Sequence, residues 1–123
     1  MKQALSPYAE KYLAECRKNS TVFWTDKGDE SDQAWERAQY FLVHYSALRI
    51  QVATTNILET YNPIRSAPFG YRISRFTGKE GIRLTVECYT SNDSYLQEAT
   101  DNSHIAAYYI RFNKAIPTGL ISY

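Results

Sequence analysis

The apolar residues change period at Asn62-Pro63, and no other feature of the chain narrows its fold as much. From Asp29 onward, Ala34, Ala38, Phe41, Tyr45, Leu48, Val52, Thr55 and Leu58 recur at intervals of four and three, with no Pro or Gly before Pro63. That spacing lines one face of a helix and predicts a long helix over 29–58. Its second half contains the β-branched Ile50, Val52, Thr54 and Thr55, which also fit an alternating pattern, so a break near Arg49 is the alternative. Trp35, Leu42 and Val43 lie off the main stripe, which marks a helix central to the fold. Beyond Pro68-Phe69-Gly70 the period becomes two.

That second regime predicts a meander. Residues 71–76 read as one strand, 77–81 as its hairpin loop and 82–90 as the partner, with Ile82, Leu84, Val86 and Cys88 on a core face and Arg83, Thr85, Glu87 and Tyr89 on the other. Ser91–Ser94 is a turn, 95–100 a short strand or helical turn, and 101–103 another turn. His104–Phe112, apolar on both sides, reads as a long strand in the middle of the sheet. At the other end, Ser6-Pro7 ahead of Tyr8, Ala9, Tyr12, Leu13 and Cys16 predicts a capped helix over 7–18. Thr21–Thr25 is β-prone and reads as an edge strand or an aromatic plug, and the tail 117–123 as an edge segment or a docking hook. Helices first and strands second imply an α+β fold: an N-terminal helix, one long central helix, then an antiparallel β-meander packed on the helices.

A chain of 123 residues suits one domain, 1–123. Lys2, Glu10, Lys11 and Glu15 interrupt any signal-peptide core or membrane span near the N-terminus, so a cytoplasmic chain without membrane attachment is expected. Cys16 and Cys88 lack the spacing of a redox or zinc motif and read as free thiols. Asn19-Ser20-Thr21 and Asn92-Asp93-Ser94 match the glycosylation sequon by chance in such a compartment. Of the 44% of residues that are hydrophobic, an unusual share is tyrosine, 11 in number, whose hydroxyls seek water or a partner. Tyr8, Tyr12 and Tyr45 fall on helical core stripes; Tyr71, Tyr89 and one of Tyr108 or Tyr109 fall beside arginines on predicted strands.

A net charge of +1 hides a local asymmetry. Residues 65–83 hold Arg65, Arg72, Arg75, Lys79 and Arg83 against Glu80, whereas 26–36 hold Asp26, Asp29, Glu30, Asp32 and Glu36 against Lys27. The acidic run suits a helix N-terminus, where it complements the macrodipole. It lacks the glycine and terminal glutamate of a calcium loop, so no metal is expected. The basic run, interleaved with aromatics, forms the candidate binding face: Tyr71, Arg72, Arg75, Lys79, Arg83 and Tyr89, joined across the sheet by Arg111. Arginine and tyrosine are the residues enriched at protein hot spots, and the same inventory stacks bases and forks phosphates.

No nucleotide-binding, zinc-protease or nucleophile-elbow motif is present, and no cofactor is expected. His44 reads as a packed helical histidine. His104, with Glu87 and Arg83, is a set from which a small nuclease-like enzyme could be assembled if the three lie together. The leading expectation is therefore a small non-enzymatic binding protein, an inhibitor or adaptor with a protein partner, of the sort that phages and mobile elements direct at nucleases or defence complexes. The alternatives are nucleic-acid or nucleotide binding by the basic aromatic hairpin, and the nuclease-like enzyme; self-association into a homo-oligomer is compatible with each.

Overall fold

The computed structural model describes residues 4–123. Helix α1 (Pro7–Lys18) begins where the Ser6-Pro7 pair places it: Ser6 Oγ accepts from Ala9 N at 3.1 Å, and Pro7 sits where no amide is needed. Strand β1 (Val22–Thr25) leads through Gly28 into α2 (Asp29–Tyr45), whose first turn carries Asp29, Glu30 and Asp32. Strands β2 (Ile50–Ala53), β3 (Ile57–Thr60), β4 (Gly70–Thr77) and β5 (Ile82–Tyr89) follow, then a 3-10 turn (Asp93–Tyr95) and α3 (Leu96–Phe112).

The five-stranded sheet has the order β1-β5-β4-β3-β2, antiparallel throughout, so β2 to β5 form a meander and β1 is added at its far edge. All three helices cover one face. On that face lie Phe23, Leu58, Tyr71, Ile73, Ile82, Leu84 and Val86, all buried. Helix α3 lies over β5 with α1 and α2 on its two flanks. Two polar contacts lock the flanks: the Arg17 guanidinium donates to both Asp101 oxygens at 2.9 and 2.8 Å, and Arg37 Nε donates to the Ile110 carbonyl at 2.8 Å in the last turn of α3. The tail acts as the docking hook, burying Ile116, Leu120 and Ile121.

The α+β class and the helix-covered antiparallel sheet agree with the expectation. Two elements do not. The long helix stops at Tyr45, four residues before the alternative break, because Ser46 folds its hydroxyl onto Leu48: Oγ accepts from Leu48 N at 3.1 Å and donates to Leu48 O at 2.9 Å. Residues 50–60 then form a hairpin whose turn is held by Thr54 Oγ1, accepting from Asn56 N and Ile57 N at 3.2 and 2.9 Å. The β-branched run decided that segment. His104–Phe112 is no strand but the second half of α3. It is apolar all round because it is packed on three sides, which a strand buried on two faces resembles. The expected turn at 101–103 also lies inside this helix, where buried Asn102 and Ser103 find partners: Asn102 bonds the Ser122 backbone in both directions, and Ser103 Oγ accepts from Cys88 N at 2.9 Å. Tyr8, expected on a core stripe, is 65% exposed.

Burial pushes both thiols, Cys16 and Cys88, up to about 12. A thiol whose folded value is raised above its usual one, near 9, favours the native state fully below that value and loses this contribution as pH climbs toward 12. A disulfide reagent at pH 8 should therefore leave both thiols almost unreacted in the native protein and titrate both in urea. Native reaction at the rate of free cysteine would contradict this packing.

Candidate binding surface

The face of the sheet away from the helices is open, and strand alternation decides what stands on it. The register places Trp24, Arg83 and Phe76 in one row across β1, β5 and β4, where Trp24 opposes Arg83 and Arg83 opposes Phe76. Trp24 is 50% exposed and Phe76 57%. The Arg83 guanidinium lies over the Phe76 ring, 5.2 Å from its centroid. Both rings close on the hairpin loop: a Cβ on Gly78 would stand 3.6 Å from the Trp24 ring and 3.7 Å from the Phe76 ring. The loop itself is tied to β1, since Gly81 at φ +144 leaves no room for a side chain, and a Cβ there would stand 2.5 Å from the Thr25 carbonyl oxygen.

The next rows are Val22, Thr85, Ser74 and Ile57, then Glu87, Arg72, Glu59 and Val52. Arg72 opposes both glutamates in register and lies 4.0 Å from Glu59. Tyr89 ends the face; its ring covers Gly70, where a Cβ would meet it at 2.6 Å. Desolvation raises the Tyr89 hydroxyl above its ordinary value.

Of the seven residues expected on the binding face, Arg72, Arg83 and Tyr89 share this surface, and Lys79 projects from the hairpin loop beside it. The other three are elsewhere. Tyr71 is on the covered side, 1% exposed, its ring edge-on to Phe41 at 5.2 Å. Arg75 has the same parity and runs under the start of α2, over the Trp35 ring at 4.7 Å. Arg111 belongs to α3 and lies over Phe112 at 4.9 Å, so it cannot join the sheet face. The segment 21–25, expected as an edge strand or an aromatic plug, is the edge strand β1, and Trp24 joins the surface although it is not among the seven: its parity with Val22 and opposite to Phe23 is the signal that places it outside.

The nuclease-like set does not assemble. Glu87 and Arg83 stand on the open face of β5, whereas His104 is in α3 on the covered side, with Nδ1 2.9 Å from the Asn19 carbonyl oxygen. Among the described residues no group of three His, Cys, Asp or Glu side chains is placed to hold a metal ion, and no helix is long and apolar enough to cross a membrane. No protein-family model, curated protein or solved structure matches the chain.

Proposed function

We propose that the protein is a non-catalytic binding module that docks a protein partner on the open sheet face, with the Trp24–Arg83–Phe76 row as its anchor. The row carries the reading. Two exposed rings flanking an arginine on rigid strands match the composition of interface hot spots, and the exposed rings lose little conformational freedom on docking. The charge on the face favours protein over nucleic acid: Arg72 and Arg83 stand against Glu59 and Glu87, so the basic excess of the 65–83 segment does not accumulate on one surface. An inhibitor or adaptor, including an inhibitor of a nuclease or defence complex, is the form of function this reading supports.

The test uses the immobilised chain to capture partners from a lysate, beside the double variant Trp24→Ser/Phe76→Ser. Capture should fall at least tenfold in the variant, about 1.4 kcal/mol, with its thermal midpoint unchanged because both rings are exposed. Equal capture by both proteins would overturn the reading. Stacking of single-stranded nucleic acid on the two rings predicts a different result: Trp24 fluorescence quenched by an oligothymidine, with an affinity that falls steeply as salt rises. Light scattering identifies a second copy of the chain as the partner.

A further inference from the structure

At the other end of β4 and β5, the segment before β4 and the start of α3 enclose a recess of about 340 Å³ lined by Arg65, Pro68, Phe69, Tyr95, Glu98 and Tyr123, among others. It opens into a wider groove that shares Arg65, Pro68 and Tyr95 and continues along Ile64 and Asp93. Phe69 and Tyr95 form a corner, their rings 5.8 Å apart and inclined at 58°. Glu98 Oε2 is buried and accepts no hydrogen bond from the described residues. A carboxylate in the first turn of a helix is usually explained by the free amides it caps, but this oxygen meets none of them. An orphaned carboxylate oxygen beside aromatic walls has the chemistry of a cation receptor, where ring faces and the anion attract the same charge.

We propose that this recess binds a lysine or arginine side chain of a polypeptide, the alkyl stem running along Pro68 and Tyr95 and the charged head reaching Glu98. The adjoining groove along Ile64 and Asp93 leaves room for the chain carrying that side chain. Arg65, exposed at the rim and making no ion pair among the described residues, opposes the incoming charge. It sets the affinity below what the carboxylate and the rings alone would give.

The experiment titrates the full chain with Nα-acetyl-lysine methylamide, Nα-acetyl-arginine methylamide and the uncharged norleucine analogue, following backbone amides by two-dimensional NMR. Lysine or arginine should shift the amides of Phe69 and of residues 95–99 saturably, and which of the two binds more tightly identifies the head group. Glu98→Gln should weaken binding at least tenfold with an unchanged or higher thermal midpoint, since the neutral amide is easier to bury. Arg65→Ala should tighten it several-fold. Tyr95→Ala, a substitution at an exposed ring, gives an independent loss should Glu98→Gln fail to fold. Equal shifts from norleucine, no saturable shift from either cationic probe, or full binding by a folded Glu98→Gln protein would each overturn the proposal. Trp24→Ser/Phe76→Ser, at the far end of the sheet, should bind the probes normally, so the two surfaces fail separately.

Discussion

Truncation of Phe41 to alanine should cost the fold about 4 kcal/mol, within the range for emptying a fully buried aromatic site. Phe41 is 0% exposed and joins three elements. Its ring stacks on Tyr45 within α2 at 5.3 Å, meets Tyr71 of β4 edge-on at 5.2 Å and approaches Tyr109 of α3 at 6.4 Å. Neither Tyr71 nor Tyr109 can close the gap cheaply, because Tyr71 is held in a sheet register and Tyr109 in a helix packed on both flanks. Against a typical domain stability of about 5–15 kcal/mol the variant should be marginal, with a melting temperature lower by roughly 15 °C. The denaturant slope should hold while the midpoint falls. Phe76→Ala is the matched control: the same side chain on the open face, 57% exposed, should change stability by less than about 0.5 kcal/mol. A Phe41 cost below about 1 kcal/mol would show that the aromatic cluster does not join helix to sheet.

The contrast between these two phenylalanines also shows what the sequence could resolve. Alternation from Ile82 to Cys88 identified the core face of β5, and carrying the same parity through β4 puts Tyr71, Ile73 and Arg75 inside and Arg72, Ser74 and Phe76 outside. The charge sum over 65–83 blurred that distinction by treating a run of sequence as one surface. Residues two apart share a face of a strand and neighbours do not, so Arg75 stands on the opposite side of the sheet from Arg72 and Arg83. Segment 104–112 failed for a different reason. Apolar residues on every side occur in a helix packed on three sides as well as in a central strand, and only the partners distinguish them. The polar Asp101-Asn102-Ser103 that suggested a turn is explained by bonds to Arg17, Ser122 and Cys88, each distant in sequence. The recess around Glu98 was invisible for the same cause, since Phe69, Tyr95 and Tyr123 come from separate segments brought together only by the fold.

Arg75 is where that difference in parity has its largest energetic consequence. Its side chain is 14% exposed, and its guanidinium ties β4 to two other elements: Nε donates to the Thr55 carbonyl at 2.7 Å in the β2–β3 turn, while on α2 Nη1 donates to Ser31 Oγ at 3.4 Å and the planar group lies over the Trp35 ring. Arg75→Ala should destabilise the protein by about 2–3 kcal/mol. One charge-assisted hydrogen bond contributes about 1.5–3 kcal/mol and a partly desolvated cation–π contact about 1, while the long 3.4 Å bond adds little. The Asp32 partner, 3.7 Å away and 71% exposed, adds almost nothing in high dielectric. Arg75→Lys should recover little of the loss, because an ammonium has no planar fork to hold the Thr55 carbonyl while covering the indole. Chemical denaturation measures the cost, and the capture experiment supplies the second readout: at a temperature where Arg75→Ala is folded, partner binding should equal that of the wild type. Unchanged stability with lost capture would instead return Arg75 to the binding surface, and the arginine would have to leave Trp35 to reach it.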